Sequence, residues 1–81
     1  MQVDHSKMQF DYSKLLGRIK EFGFKQEDFA SVIGTSASTL SLKLNSRAFF
    51  TQKEMEKARA VLEFDTSEMG AYFFTLKVQN S

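Results

Sequence analysis

Residues 26–45, QEDFASVIGTSASTLSLKLN, read as two short helices with a single glycine between them. In the first half, Phe29, Ala30, Val32 and Ile33 recur at helical spacing and are expected to face inward. Glu27 and Asp28 stand in the first turn, where acids favour the helix dipole. Gly34 supplies the positive φ that a corner needs and ends the helix. Ser36 can cap a second helix whose body is about residues 37–44. Ala30 falls where the two helices approach most closely, so a small side chain is required there. Phe29, Ile33 and Leu40 close a small core beneath the pair.

The flanking sequence predicts three more helices. Tyr12, Leu15, Leu16, Ile19 and Phe22 form one apolar stripe, so a helix starts near Asp11 or Tyr12 and stops at Gly23. Thr51-Gln52-Lys53-Glu54 matches a capping box, with Phe50 and Met55 spaced as a hydrophobic staple. Met55, Ala58, Val61 and Leu62 form the buried stripe of the helix that follows. Asp65-Thr66-Ser67-Glu68 repeats the device, with Phe64 and Met69 as its staple, for a fifth helix ending around Phe73 or Phe74. The period then changes. Phe74, Leu76 and Val78 alternate with Thr75 and Lys77, and Met8 and Phe10 alternate in the same way near the start. These two stretches can pair within one subunit, or the tail can pair with a partner chain. The expectation is an all-α, five-helix domain over residues 8–81 with a short C-terminal strand. Residues 1–7 read as a polar leader or a tag remnant.

Composition removes several function classes. With 81 residues the chain makes one domain with a marginal core, and its nine Phe are the means to fill it. There is no Cys, so no disulfide or thiolate metal site can staple the fold, which fits a reducing cytoplasm. The one His is His5, near an end, which removes most metal and His-based catalytic schemes. Neither paired carboxylates in an apolar setting nor a phosphate-cradling glycine loop is present, so a non-enzyme without cofactor or metal is expected. No apolar run approaches the roughly 20 residues needed to span a bilayer, and no signal-peptide pattern opens the chain. The net charge of +1 says little, but its distribution says more. Residues 29–53 hold no acid and carry Lys43, Arg47 and Lys53, whereas residues 54–68 turn acidic.

Two short helices joined by a turn with Gly resemble the helix-turn-helix. Residues 26–45 in their five-helix setting look like the Cro/CI-type (phage repressor-like, or lambda repressor-like) family. The wider string FDYSKLLGRIKEFG…EDFA…IG…STLSLKLN…FTQKE…YFF…KVQ is similar to small phage-encoded proteins of that kind. Three positions depart from the pattern: Lys25 stands where a Thr cap is usual, Thr35 where an aliphatic residue is frequent, and Lys43 where a buried aliphatic is common. Leu44 is expected to take the buried role at the last of these.

The resemblance implies a sequence-specific transcriptional regulator that inserts helix 37–45 into the major groove of double-stranded operator DNA. On it, Gln26 would meet a phosphate or steady a base contact, and Ala37, Ser38, Ser41 and Leu42 would face the groove. Thr39, Lys43, Asn45 and Arg47 would be backbone contacts or flanking readers, the cations supplying the salt-dependent part of binding. Ser36 would be mainly a helix cap with a secondary phosphate contact. One recognition helix buries little surface, so a homodimer is implied, with Tyr72, Phe74, Leu76 and Val78 as candidate contacts or, alternatively, as the end of the monomer core. Phe49 is either core or a loop-borne contact. The rival expectation is an antirepressor or co-repressor that binds a phage repressor protein. The weak net charge and the acidic stretch after Glu54 favour it. Either protein would work in the cytoplasm of a bacterial host, with no membrane partner.

Overall fold

Each of the first four helices ends on a residue in the left-handed region: Gly23 at φ 77°, Gly34 at 86°, Ser46 at 60° and Glu63 at 53°. At every one of these ends the next N–H reaches back to the carbonyl five residues earlier. Phe24 donates to Ile19, Thr35 to Ala30, Arg47 to Leu42 and Phe64 to Arg59. This is the Schellman arrangement, and it reverses the chain within a few residues. Four such reversals fold a computed structural model that describes residues 9–77. The elements are α1 (Ser13–Glu21), α2 (Gln26–Ile33), α3 (Ala37–Leu44), α4 (Gln52–Leu62), a 3-10 turn (Thr66–Glu68) and α5 (Met69–Phe73). The fold is all-helical. The leader, His5, Met8 and Val78 lie outside the described residues.

α2 packs against both α3 and α4, while α5 packs against α1 and α4. The core runs through all five helices. Phe29, Phe73, Leu15, Ile33, Leu40 and Leu62 are its largest fully buried side chains. Each contributes about 1.5–3 kcal/mol by leaving water. Ala30 and Ala58 are completely buried where α2 meets its neighbours, as the small side chain at Ala30 requires. Aromatic rings finish the far end. Phe64 stacks on Tyr72 at 4.0 Å between centroids, and Phe50 meets Phe73 edge-on at 5.1 Å.

The apolar stripes are narrower than periodicity suggests. Leu16, Phe22 and Val32 are exposed, so α1 buries only Leu15 and Ile19, with Tyr12 at its cap. Among the described residues no helix covers these three side chains, and Phe22 instead packs against the Arg18 guanidinium at 4.8 Å. Both capping boxes form. The second opens a 3-10 turn before the short α5, rather than one continuous helix. The alternating tail makes a single antiparallel bridge, Phe10 to Leu76, and no strand among the described residues. Asp11 N–H donates to the Thr75 carbonyl at 2.6 Å and Lys77 N–H to the Gln9 carbonyl at 2.8 Å. The tail therefore closes onto its own N-terminal segment.

Candidate functional site

α2 and α3 form a corner whose outer side carries most of the residues singled out in the sequence. Gln26, Glu27 and Asp28 are exposed on the first turn of α2. α2 starts at Lys25 with no side-chain cap, whereas α3 starts at Ser36, whose oxygen accepts the Thr39 N–H at 3.1 Å. The Ser36 hydroxyl also donates to Thr39 Oγ1 at 2.8 Å and lies 3.3 Å from Ser38 Oγ. A small hydroxyl knot thus crowns α3, and part of its bonding capacity is already used. Ala37, Ser38 and Asn45 are exposed, and Thr39 and Ser41 are half-buried. Leu42 is 48% exposed, the largest apolar side chain that α3 offers to solvent. Asn45 Nδ2 donates to the Ser41 carbonyl at 2.8 Å, so its amide closes the end of the helix. Arg47 is exposed just beyond.

Lys43 does not stand with them. Its side chain is 8% exposed, and its ammonium lies 2.5 Å and 2.6 Å from the two carboxylate oxygens of Glu54 on α4. It also sits 5.9 Å over the Phe50 ring. The expected phosphate contact is therefore corrected: this cation is inside the protein and already neutralised. The buried position that Leu44 was expected to fill is filled by Lys43 itself, with Leu44 half-buried beside the core. An ammonium can occupy such a place only when paired, because an isolated buried charge is costly.

Glu54 carries a double load. It is the third residue of α4, its Oε1 accepts the Thr51 N–H at 2.9 Å, and its own N–H donates to Thr51 Oγ1 at 3.1 Å. Burial alone would raise its carboxyl. The bonds from Lys43 and Thr51 outweigh that and hold it below the ordinary value. One carboxylate thus locks the last turn of α3 to the first turn of α4. The sequence held a signal for this, a Lys at a core-facing position and an acid at N3 of the next helix, but nothing local joins them.

The consequence for the corner is electrostatic. Lys43 is the one Lys or Arg within residues 26–45. With it paired, the accessible charges of that segment are Glu27 and Asp28. Lys25 and Arg47 flank it, and Lys57 of α4 approaches the turn, its Nζ lying 3.4 Å from where a Cβ on Gly34 would stand.

The candidate dimer residues divide. Tyr72 is 5% exposed, stacked on Phe64 and covered by Lys14 at 4.7 Å, so it belongs to the core and is removed from any dimer surface. Phe74 and Leu76 are 54% and 58% exposed, and Phe49 is 51% exposed. Among the described residues, no three acids or histidines gather as a metal site would require, and no helix is long and apolar enough to cross a membrane.

Residues 8–76 match the profile of a family described as "Protein of unknown function (DUF739)". The chain belongs to this family. A solved member of the same fold is the modulator of repression (MOR) of the temperate bacteriophage TP901-1 from Lactococcus lactis, known from a solution structure. It is 42% identical to this DUF739 chain, with a TM-score of 0.70, over 88% of this chain and 96% of that one. A phage regulatory protein therefore stands among the relatives of this DUF739 chain. No curated protein matches it.

Proposed function

We propose that this chain modulates repression in a phage by binding a repressor protein through the outer face of α2 and α3. It acts as a non-enzymatic binding module. The observation that carries this reading is the burial of Lys43 against Glu54. A surface that reads duplex DNA draws most of its affinity from cations placed on phosphates. Residues 26–45 offer none that is free, and instead present Glu27 and Asp28 with Leu42 as an apolar anchor. Exposed acids on α2 and an exposed leucine on α3 would complement a protein surface that offers basic and apolar groups. The similarity to a modulator of repression supports the same reading.

The operator-reading alternative, a Cro/CI-type repressor, draws on one feature: the small side chains of Ala37, Ser38 and Ser41 let α3 approach a groove, with Gln26, Lys25, Arg47 and Lys57 around it. One experiment separates the two. The protein is titrated against the repressor encoded beside it, and against duplex DNA from upstream of its own gene at two salt concentrations. The expected result is repressor binding that falls at least about tenfold in Leu42→Lys, a loss of about 1.4 kcal/mol, with no preference for the native duplex. Binding to the native duplex over a scrambled one, weakening steeply with salt, together with no binding to the repressor, would overturn it.

A further inference from the structure

α3 is eight residues long and meets the rest of the protein along a narrow line. Leu40 is fully buried, and Leu44, one turn on, is half-buried against the core. Residues four apart stand one above the other on a helix face. Apolar contact is non-directional. Two leucines in one line therefore hold α3 down but set its roll about its own axis only loosely. The local bonds do not set it either. The Ser36 cap, the Arg47 N–H on the Leu42 carbonyl and the Asn45 amide on the Ser41 carbonyl all close within the same segment. The Phe10 N–H bonds Ser46 Oγ beyond the last turn, which holds the exit of the chain and not the helix face.

Lys43 lies off that line. At about 100° per residue it stands some 60° round from Leu40, on the side away from Leu44. Its ammonium meets both carboxylate oxygens of Glu54, at 2.5 Å and 2.6 Å, and Glu54 is itself held in the first turn of α4 by the Thr51 N–H. Among the described residues, no other α3 side chain bonds a neighbouring helix. Stability alone does not call for an ion pair here, since well-packed apolar side chains of similar volume are often as stable or more so in such a place. What the pair adds is direction. We infer that Lys43 and Glu54 are positioning residues: their bond sets the roll of α3, and with it the face that Leu42 presents to a partner. The inference rests on the reading of α2–α3 as the repressor-binding face. Leu42 stands some 200° round from Leu40, nearly opposite the buried line, so it carries any roll in full. A roll of about 30° moves a side-chain tip roughly 6 Å from the axis through about 3 Å. A gap of about 1 Å already forfeits up to half of a dispersion contact. Ser38, one turn before Leu42, moves with it.

The paired variant Lys43→Met, Glu54→Gln tests the inference. Met approximates the volume of the lysine stem, and Gln keeps an oxygen to accept the Thr51 N–H. Helical circular dichroism and the urea midpoint should stay close to the parent's. In residual dipolar couplings, α1, α2 and α4 should keep the parent's relative orientation, while residues 37–44 should not. Affinity for the repressor encoded beside the protein should fall at least about tenfold. Leu42→Lys, which costs about tenfold in the parent, should cost less than about twofold when added to the paired variant, because both changes act through one contact. As a control, Lys14→Met, Glu68→Gln removes the exposed pair at the other capping box and should move neither the α3 couplings nor the affinity. Where the paired variant fails to fold, Lys43→Met alone, which keeps the whole box at Thr51, gives the same readings. An α3 that keeps the parent's couplings overturns the inference, as does a paired variant that binds the repressor as tightly as the parent. A parent that binds no repressor defeats the repressor reading instead, and the couplings then decide the role of the pair by themselves.

Discussion

Thr51 and Asp65 open two segments with the same four-residue device, and the outcomes differ. The first leads into the eleven residues of α4, the second into a 3-10 turn and a five-residue helix. Both boxes have their reach-back bond, from Thr51 N–H to Glu54 at 2.9 Å and from Asp65 N–H to Glu68 at 3.1 Å. What separates them is the far side of each carboxylate. Glu54 is buried and gripped by Lys43. Glu68 has only Lys14, 3.9 Å away, with both side chains half in solvent. Asp65, for its part, accepts the Ser67 hydroxyl and stays local. A cap therefore says where a helix starts. How firmly that start is held depends on partners brought from elsewhere in the chain.

Removing each acid gives the sharpest test of this contrast. Glu54→Ala should cost about 3–5 kcal/mol, because it leaves Lys43 charged, buried and unpaired. Glu68→Ala should cost only a few tenths of a kcal/mol beyond its cap, as exposed pairs do. Urea denaturation of the two variants measures both, and equal losses would break the comparison. Acid should discriminate next. Glu54 is held below its ordinary value near 4.5, so its contribution is complete above that pH and is lost as pH falls through the folded value. Asp11 and Asp65 are also lowered, by hydrogen bonds from Ser13 and Ser67, and push in the same direction. Stability should therefore decline below about pH 4.5, and the decline should be shallower in a Lys43→Met, Glu54→Gln double variant than in Asp65→Asn. The smallest effect belongs to the other end of α4. Glu63 sits at φ 53°, where glycine has no penalty, so Glu63→Gly should raise stability by about 0.5–1 kcal/mol in the same denaturation assay.

What the sequence revealed was whatever is decided within a few residues. Both boxes, the Gly23 and Gly34 reversals, the Ser36 cap and the inward set Phe29, Ala30, Ile33 and Leu40 all depend on local backbone chemistry. The left-handed residues Ser46 and Glu63 gave no such sign, because distant partners hold them in place. Ser46 Oγ receives the Phe10 N–H, and Arg18 reaches the Leu62 and Glu63 carbonyls at 2.9 Å and 3.2 Å. Leu16, Phe22 and Val32 looked like core because helical spacing reports a face and not whether a neighbour covers it. Lys43 looked like a phosphate contact because a basic residue on a short helix normally points to water, and its neutralising acid lies eleven residues on. The alternating tail was legible as extended, but the gathering of Phe10, Phe49 and Phe74 comes only from the closed fold.

Arg18 has a consequence for how the chain reaches this state. α4 is eleven residues long, too short to persist by itself in water. Its last carbonyls are met by a side chain of α1, 44 and 45 residues earlier, and its first turn by a side chain of α3. Neither end is finished until the rest of the molecule is docked. Helix formation in α4 and assembly of the domain are therefore a single event. A chain that loses α1 should release α4 at the same moment, and unfolding should pass in one step with no helical remnant left behind.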